Sequence, residues 1–463
     1  MSAYDLLLRG GALVSDTGVT QADLAIGDGR IAAIAPDLDG SATEEVDARG
    51  LHVFPGAIDA HVHFNEPGRA EWEGIATGTR ALAAGGATLY FDMPLNAHPP
   101  TIDAASFDLK LAAARAAAMV DFAFWGGIVP GNREQMDDLA ARGVVGYKAF
   151  MASSGIEDFP MSDDLTLYDG MARAARLGLP VAVHAENDQL TRALAQRAIA
   201  AGRTGGRDFL ASRPAIAEHE AIARAILFAH ETGCRLHIVH VSTGRGVALV
   251  AEAQARGVDV SCETCPHYLV LTEEDVERLG AVAKCAPPLR PAAERDALWR
   301  HIAAGALPMV VSDPSPAPPE MKTAPSFFDI WGGISGCQSL LALLLTEGHV
   351  ARQVPLATIA RLTSSAAARR FNLPSAKGRL AVGADADLAL VDLAASATLR
   401  AEDLFYRHRH SPYVGRTLRG RIVRTLVRGH TVLRDGQIVA EPLGHLVRPE
   451  RDSGQISTPQ GNA

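Results

Sequence analysis

Four histidines, one lysine and one aspartate in this 463-residue chain each fall at or near the end of an apolar run. His61-Val62-His63 follows Val53-Phe54-Pro55-Gly56-Ala57-Ile58, and Lys148 lies within Val144-Val145-Gly146-Tyr147-Lys148-Ala149-Phe150. His184 follows Pro180-Val181-Ala182-Val183, His240 follows Leu236-His237-Ile238-Val239, and Asp313 follows Met309-Val310-Val311-Ser312. Side chains two apart on a strand share a face, so His61 and His63 can hold one metal ion between them. A lysine inside an apolar strand is costly unless something uses or neutralises it. Two divalent ions roughly 3.5–4 Å apart need several nitrogen or oxygen donors and a bridging anion. Imidazoles at four positions suit zinc, with cobalt and manganese as alternatives. Lys148 cannot ligate as an ammonium, but as the carbamate it forms with carbon dioxide it offers two oxygens that can bridge two ions. A metal pair of this kind makes hydroxide available near neutral pH. Asp313 can ligate one ion and carry a proton from that hydroxide to a leaving nitrogen. This is chemistry for opening a cyclic amide.

Each of these residues alone has a plainer reading. A single histidine at a strand end is more often a satisfied polar group than a ligand, and a strand lysine more often pairs with a buried carboxylate. Their recurrence at successive strand ends of one chain is what favours a site.

The elements that must carry them are legible in the pattern. Between residues 56 and 372, apolar runs of four to six residues alternate with Ala- and Leu-rich helical stretches such as Leu109–Met119, Thr191–Ala201, Glu218–Thr232 and Gly244–Arg256. Repeated strand-then-helix units imply a parallel sheet, and this many favour closure into a (β/α)₈ TIM-like barrel, an α/β fold. Such barrels gather chemistry at the C-terminal ends of their strands. Residues 1–55 and 373–445 instead read as short strands and turns, with Asp28-Gly29 as a hairpin signal, so a small β-domain built from both termini is expected. The tail 446–463, rich in Arg, Pro, Ser, Gln and Gly, is expected to be disordered.

Apolar residues make up 48% and charged residues 21%, an ordinary globular balance. A net charge of −9 argues against nucleic acid or an acidic membrane as the main partner and leaves a small-molecule substrate. The beginning of the chain carries no basic, apolar leader, and the longest apolar run, Leu340–Leu345, is far shorter than the roughly 20 residues a spanning helix needs. Five cysteines in so long a chain fit reduced thiols and a cytoplasmic location.

Longer motifs carry a resemblance. Pro55-Gly56-Ala57-Ile58-Asp59-Ala60-His61-Val62-His63, Gly146-Tyr147-Lys148-Ala149-Phe150-Met151, Glu263-Thr264-Cys265-Pro266-His267-Tyr268-Leu269 and Cys285-Ala286-Pro287-Pro288-Leu289-Arg290 resemble the cyclic amidohydrolases, the group of dihydroorotases, hydantoinases and allantoinases. The resemblance spans nearly the whole chain. It implies a binuclear centre of His61, His63, N6-carboxylated Lys148, His184, His240 and Asp313, a barrel with a β-sandwich made from both termini, and a homotetramer. Dihydroorotases typically place an Arg two residues after the second His, where this chain has Asn65; hydantoinases typically place a Tyr five residues after the bridging Lys, where it has Ser153. Both positions resemble the allantoinase branch, as do Asp92-Met93-Pro94-Leu95-Asn96 and Trp331-Gly332-Gly333-Ile334-Ser335-Gly336. That implies a neutral hydantoin ring with a polar ureido arm, bound by Asn96, Ser153 and Ser315 and by backbone near Ala286 and Gly333. A hydantoinase or dihydropyrimidinase, a dihydroorotase-like enzyme, and a non-catalytic scaffold are the alternatives. One departure stands out: the group usually writes Asp-His-Ser-Pro where this chain has Asp313-Pro314-Ser315-Pro316.

Three further motifs read as structural. Cys262-x-x-Cys265-x-His267 has no second Cys/His pair nearby to complete a zinc site. The eight arginines from Arg407 to Arg434 alternate with apolar residues, as on the wet face of a strand. Gly85-Gly86 reads as a helix stop rather than a phosphate loop.

Overall fold

The computed structural model describes residues 4–450. Five strands open the chain: β1 (Tyr4–Val14), β2 (Val19–Gly27), β3 (Arg30–Ala35), β4 (Ala42–Asp47) and β5 (His52–Pro55). Nine further strands build the barrel: β6 (Ala57–Val62), β7 (Ala87–Asp92), β8 (Asp121–Phe124), β9 (Gly126–Gly127), β10 (Tyr147–Phe150), β11 (Val181–His184), β12 (Leu236–Ile238), β13 (Val260–Thr264) and β14 (Met309–Val310). The last four are β15 (Leu388–Thr398), β16 (Thr417–Val427), β17 (His430–Arg434) and β18 (Gln437–Ile438).

The barrel strands pair in parallel. Counting β8 and β9 as two pieces of one stave interrupted at Trp125, there are eight staves. The ring closes where Asp313 N donates to His61 O (3.1 Å) and His63 N donates to Pro314 O (3.1 Å). Strands covered on both faces need no polar alternation, which is why β6, β7 and β13 are buried along their whole length.

The surrounding helices begin at capping residues, some of them ahead of the apolar pattern. Ala104–Ala117 starts earlier than its leucines indicate because the Asp103 carboxylate accepts from Ser106 N at 2.8 Å. Asn187 opens Asp188–Ala200 in the same way, accepting from Leu190 N at 3.0 Å. Ala81-Leu82-Ala83 does end at Gly85, with Gly86 at φ 82°.

The terminal segments meet in one nine-stranded sheet ordered β18-β17-β16-β15-β5-β1-β2-β3, with β4 paired to β1. β5 is the joint: it runs antiparallel to β15, Val53 opposite Leu390, and parallel to β1. Inward-facing Leu6, Leu8, Leu24, Ile26, Leu388, Leu390 and Leu426 form a small separate core inside this β-sandwich domain. Its tight hairpins turn at Asp28-Gly29, Arg428-Gly429 and Asp435-Gly436, where both residues have positive φ as a two-residue type I′ turn requires.

Two expectations are corrected. The segment from Leu446 was expected to be disordered, yet Leu446 bridges Phe122 at the edge of β8 and Val447 N donates to Phe122 O at 2.7 Å. Backbone pairing and burial of Val447 outweigh its polar composition; residues 451–463 lie outside the described residues. Nor are all the arginines of β16 wet: Arg424 is buried and forks onto Glu44 at 2.8 and 2.9 Å. No helix among the described residues is long and apolar enough to cross a membrane.

Candidate metal centre

The barrel brings all six expected residues to the same rim. His61 lies in β6 with His63 just beyond, Lys148 in β10, His184 at the end of β11, and His240 and Asp313 within three residues of the ends of β12 and β14. His240 (φ 40°) and Asp313 (φ 42°) both adopt the left-handed region, which L-residues enter at a cost and which turns their side chains off the strand direction. Asp313 Oδ1 lies 3.2 Å from His61 Nε2 and 3.5 Å from His63 Nε2. On the other side His184 Nδ1 lies 3.1 Å from His240 Nε2. The His61 ring bridges the two groups, 5.4 Å from both the His63 and His240 rings.

Lys148 sits among them, fully buried, and its Nζ has no hydrogen-bond partner. Burial pushes its ammonium down to about 7, against the pull of Asp313 and Glu263. Its register neighbours explain its surroundings: Phe150 pairs with His184 across β10 and β11. Those rings stack at 4.6 Å, and the Lys148 Nζ lies 4.8 Å from the Phe150 ring centroid.

Three of the imidazoles, His61, His184 and His240, are disfavoured as cations by burial, and two of them, His61 and His184, are oriented by carboxylates. Burial, and then the nearby Lys148 charge, lowers His61 and His240 well below their usual value. His61 Nδ1 pairs with Glu263 Oε1 at 2.7 Å, and Glu263 Oε2 is 2.9 Å from His237 Nε2. His184 Nε2 pairs with Glu186 Oε2 at 2.8 Å. In each case a carboxylate occupies one ring nitrogen and leaves the other facing the cluster, the usual support for a metal-ligating imidazole. An unpartnered buried amine, four imidazoles and a carboxylate within 4.8 Å of two of them make a donor set that fits divalent metal.

The cluster floors a cavity of about 450 Å³. Asn96, Ser153, Ala286, Ser315 and Gly333 all line it. Asn96 (φ 68°) donates from Nδ2 to Ser315 Oγ at 3.3 Å. Ser153 is exposed at the mouth. Gly333 has less to offer than expected: its N–H is spent on Lys284 O (2.8 Å), and its carbonyl already accepts from Lys322 Nζ (2.7 Å). A side chain there would collide with Ser315 O, which accounts for the glycine. Pro314 uses only its carbonyl, on His63 N. His267, buried with neither ring nitrogen partnered, has a ring nitrogen within 4.8 Å of Cys265 Sγ and an Asp313 oxygen. The Cys262-x-x-Cys265-x-His267 motif therefore places two residues beside Asp313.

The family model described as the amidohydrolase family matches residues 52–432. The chain belongs to the amidohydrolase family. This amidohydrolase is 63% identical over 455 residues to an allantoinase of Rubrobacter xylanophilus, covering 98% of the chain and all of that relative. It is 52% identical to an allantoinase of Deinococcus radiodurans, covering 96% of the chain and 99% of the relative. Among solved structures it is similar to the L-hydantoinase (dihydropyrimidinase) of Arthrobacter aurescens, with a TM-score of 0.94 and 35% identity over 96% of this chain and all of that one. In this amidohydrolase, reading the sequence missed Glu186, Glu263, Arg213 and Lys284, and only Glu263, inside the quoted Glu263-Thr264-Cys265 motif, carried a sequence signal.

Proposed function

We propose that this amidohydrolase opens the hydantoin ring of allantoin by hydrolysis, giving allantoate. The observation that carries the reading is the unpartnered Lys148 amine inside a ring of four imidazoles and Asp313, at the floor of a cavity lined by short polar groups. High identity to allantoinases over nearly the full chain supports the substrate. The ligands would be His61, His63, N6-carboxylated Lys148, His184, His240 and Asp313, holding two divalent ions, zinc before cobalt or manganese. Bound there, the ions would lower the pKa of water and polarise the ring carbonyl.

The chain's own residues do the rest. Asp313, central to the cluster, takes the proton of the attacking water and returns it to the ring nitrogen as the C–N bond breaks. Glu263 and Glu186 keep His61 and His184 in a single tautomer. Asn96, Ser153 and Ser315 offer donors and acceptors to a neutral, polar substrate, as do the backbone at Ala286 and the Gly333 carbonyl. Asn65 lacks the charge that a substrate carboxylate would need.

The reading extends to a cytoplasmic homotetramer. Five buried, unpaired cysteines support a reducing compartment. Leu165, Ile216 and Leu227, each more than half exposed on the packed helices Asp164–Arg176 and Ala215–Thr232, support self-association. The L-hydantoinase likeness favours a second reading, turnover of other hydantoins. Ring opening of allantoin, hydantoin and dihydroorotate by protein loaded with zinc, cobalt or manganese and bicarbonate decides between them. Preference for allantoin that vanishes in Asp313→Ala is the expected result; preference for hydantoin moves the assignment to the second reading. Inactivity on every ring at full metal occupancy refutes both and leaves a scaffold.

A further inference from the structure

Glu186 is clamped from two sides. Its carboxylate pairs with His184 Nε2 on one, and accepts from Arg213 Nε (3.1 Å) and Nη2 (2.5 Å) on the other. Burial would raise this carboxyl, but the Arg213 charge and the His184 hydrogen bond outweigh it and hold it well below the usual carboxylate range. Arg213 is therefore anchored along one edge of its guanidinium. It also lines the cavity, with its side chain 18% exposed and its guanidinium carbon 5.8 Å from the Phe209 ring centroid.

The opposite edge is unspent: Nη1 makes no hydrogen bond among the described residues. The other cation of the cavity wall is different. Lys284 donates to the carbonyls of Phe327 (2.6 Å), Phe328 (3.2 Å) and Ile330, which uses all three of its N–H groups. Among the described residues, Arg213 is thus the cation of the cavity wall with a donor to give. A guanidinium fixed along one edge is pre-ordered to donate from the other at little entropic cost.

We propose that Arg213 is a specificity residue, donating from Nη1 to the carbonyl oxygen of the substrate's ureido arm while its other edge holds Glu186. The inference rests on the allantoin reading. A neutral hydantoin without that arm gives Nη1 nothing to bind, so Arg213 separates substrates by what projects from the ring.

The test is steady-state kinetics of the metal-loaded enzyme on allantoin and on unsubstituted hydantoin, for wild type, Arg213→Lys and Arg213→Met, with metal content measured on each. Loss of a charge-assisted hydrogen bond corresponds to a roughly ten- to hundredfold change. Arg213→Lys should raise KM for allantoin by that factor, while KM for hydantoin and metal content stay within about threefold. Arg213→Met should show the same selectivity on whatever fraction retains metal. Equal losses on both rings would overturn the proposal and leave Arg213 as a prop for Glu186 and His184; unchanged kinetics on both would also overturn it. A wild-type enzyme that opens hydantoin but not allantoin would instead defeat the functional reading, and does so without any variant.

Discussion

Two buried lysines of this protein sit in opposite surroundings. Lys377 lies where the terminal sheet meets the barrel, with Asp121, Asp387 and Asp385 at 2.6, 2.7 and 2.9 Å. Burial would lower its ammonium, but Asp387 and Asp121 outweigh that and raise it above the usual lysine value. Arg428 also reaches Asp121, and His445 N donates to it. Lys148 is buried as deeply with no hydrogen-bond partner, and burial lowers it to about 7. Burial is common to both, so burial alone does not decide what a lysine does. Carboxylates bonded to the amine make a bolt between domains; an amine that carboxylates pull on without bonding stays free for chemistry.

Exchanging each lysine for methionine should break this contrast in opposite ways. Lys148→Met should lower ring opening roughly 10³-fold or more, since it removes the proposed bridging ligand, and should reduce bound metal. Its metal-free melting temperature should hold or rise, because an unpaired buried amine is replaced by an apolar group. Activity near wild type would mean Lys148 is not a ligand. Lys377→Met should cost about 3–5 kcal/mol by leaving carboxylates buried without their cation, read as a lower denaturation midpoint, with turnover per folded molecule retained. An unchanged midpoint would deny that Lys377 bolts the domains.

The pH dependence sharpens the comparison further. Carbamate formation needs the neutral amine, so labelling of metal-free protein by ¹³C-bicarbonate should climb through about pH 7 rather than near the usual lysine value of 10.5. The folded pKa lies below the unfolded one, so the unfolded chain holds the extra proton in between. The metal-free fold should therefore gain stability as pH rises from about 7 toward 10.5, and lose it on the way down. A titration centred near 10 would place Lys148 in water. The smallest effect is expected at Lys284→Met, which removes the hydrogen bonds holding Phe327–Ile330 at the cavity mouth. KM should rise about three- to tenfold with kcat nearly unchanged; a kcat loss alone would put Lys284 in the chemistry instead.

The two lysines also mark what sequence reasoning reaches. Lys148 is visible because it interrupts an apolar strand run, and the histidines because each closes one; strand alternation does the rest. Lys377, in Pro374-Ser375-Ala376-Lys377-Gly378, interrupts nothing, and its carboxylates come from two segments, Asp121 on one side and Asp385 with Asp387 on the other. Arg213 and Lys284 escape for the same reason, since their partners are distant side chains or backbone carbonyls without any sequence signature. Arg424 looked like a wet-face residue because strand alternation says nothing of Glu44, which β4 places beside it. Strand and barrel patterning is local and repeats, so it is legible; ion pairing across the fold is neither.

The sheet that joins the chain's two ends has a consequence for how the protein is made. Val53 pairs with Leu390, so more than three hundred residues must leave the ribosome before β5 gains that neighbour. Throughout that interval β5 presents an unfilled hydrogen-bonding edge, and Leu6, Leu8 and Leu24 lack the part of their core that comes from β15 and β16. Synthesis of this protein therefore spends its longest stage with an adhesive N-terminus, and slow translation past the barrel should raise the share of chains lost to aggregation before the last strands arrive.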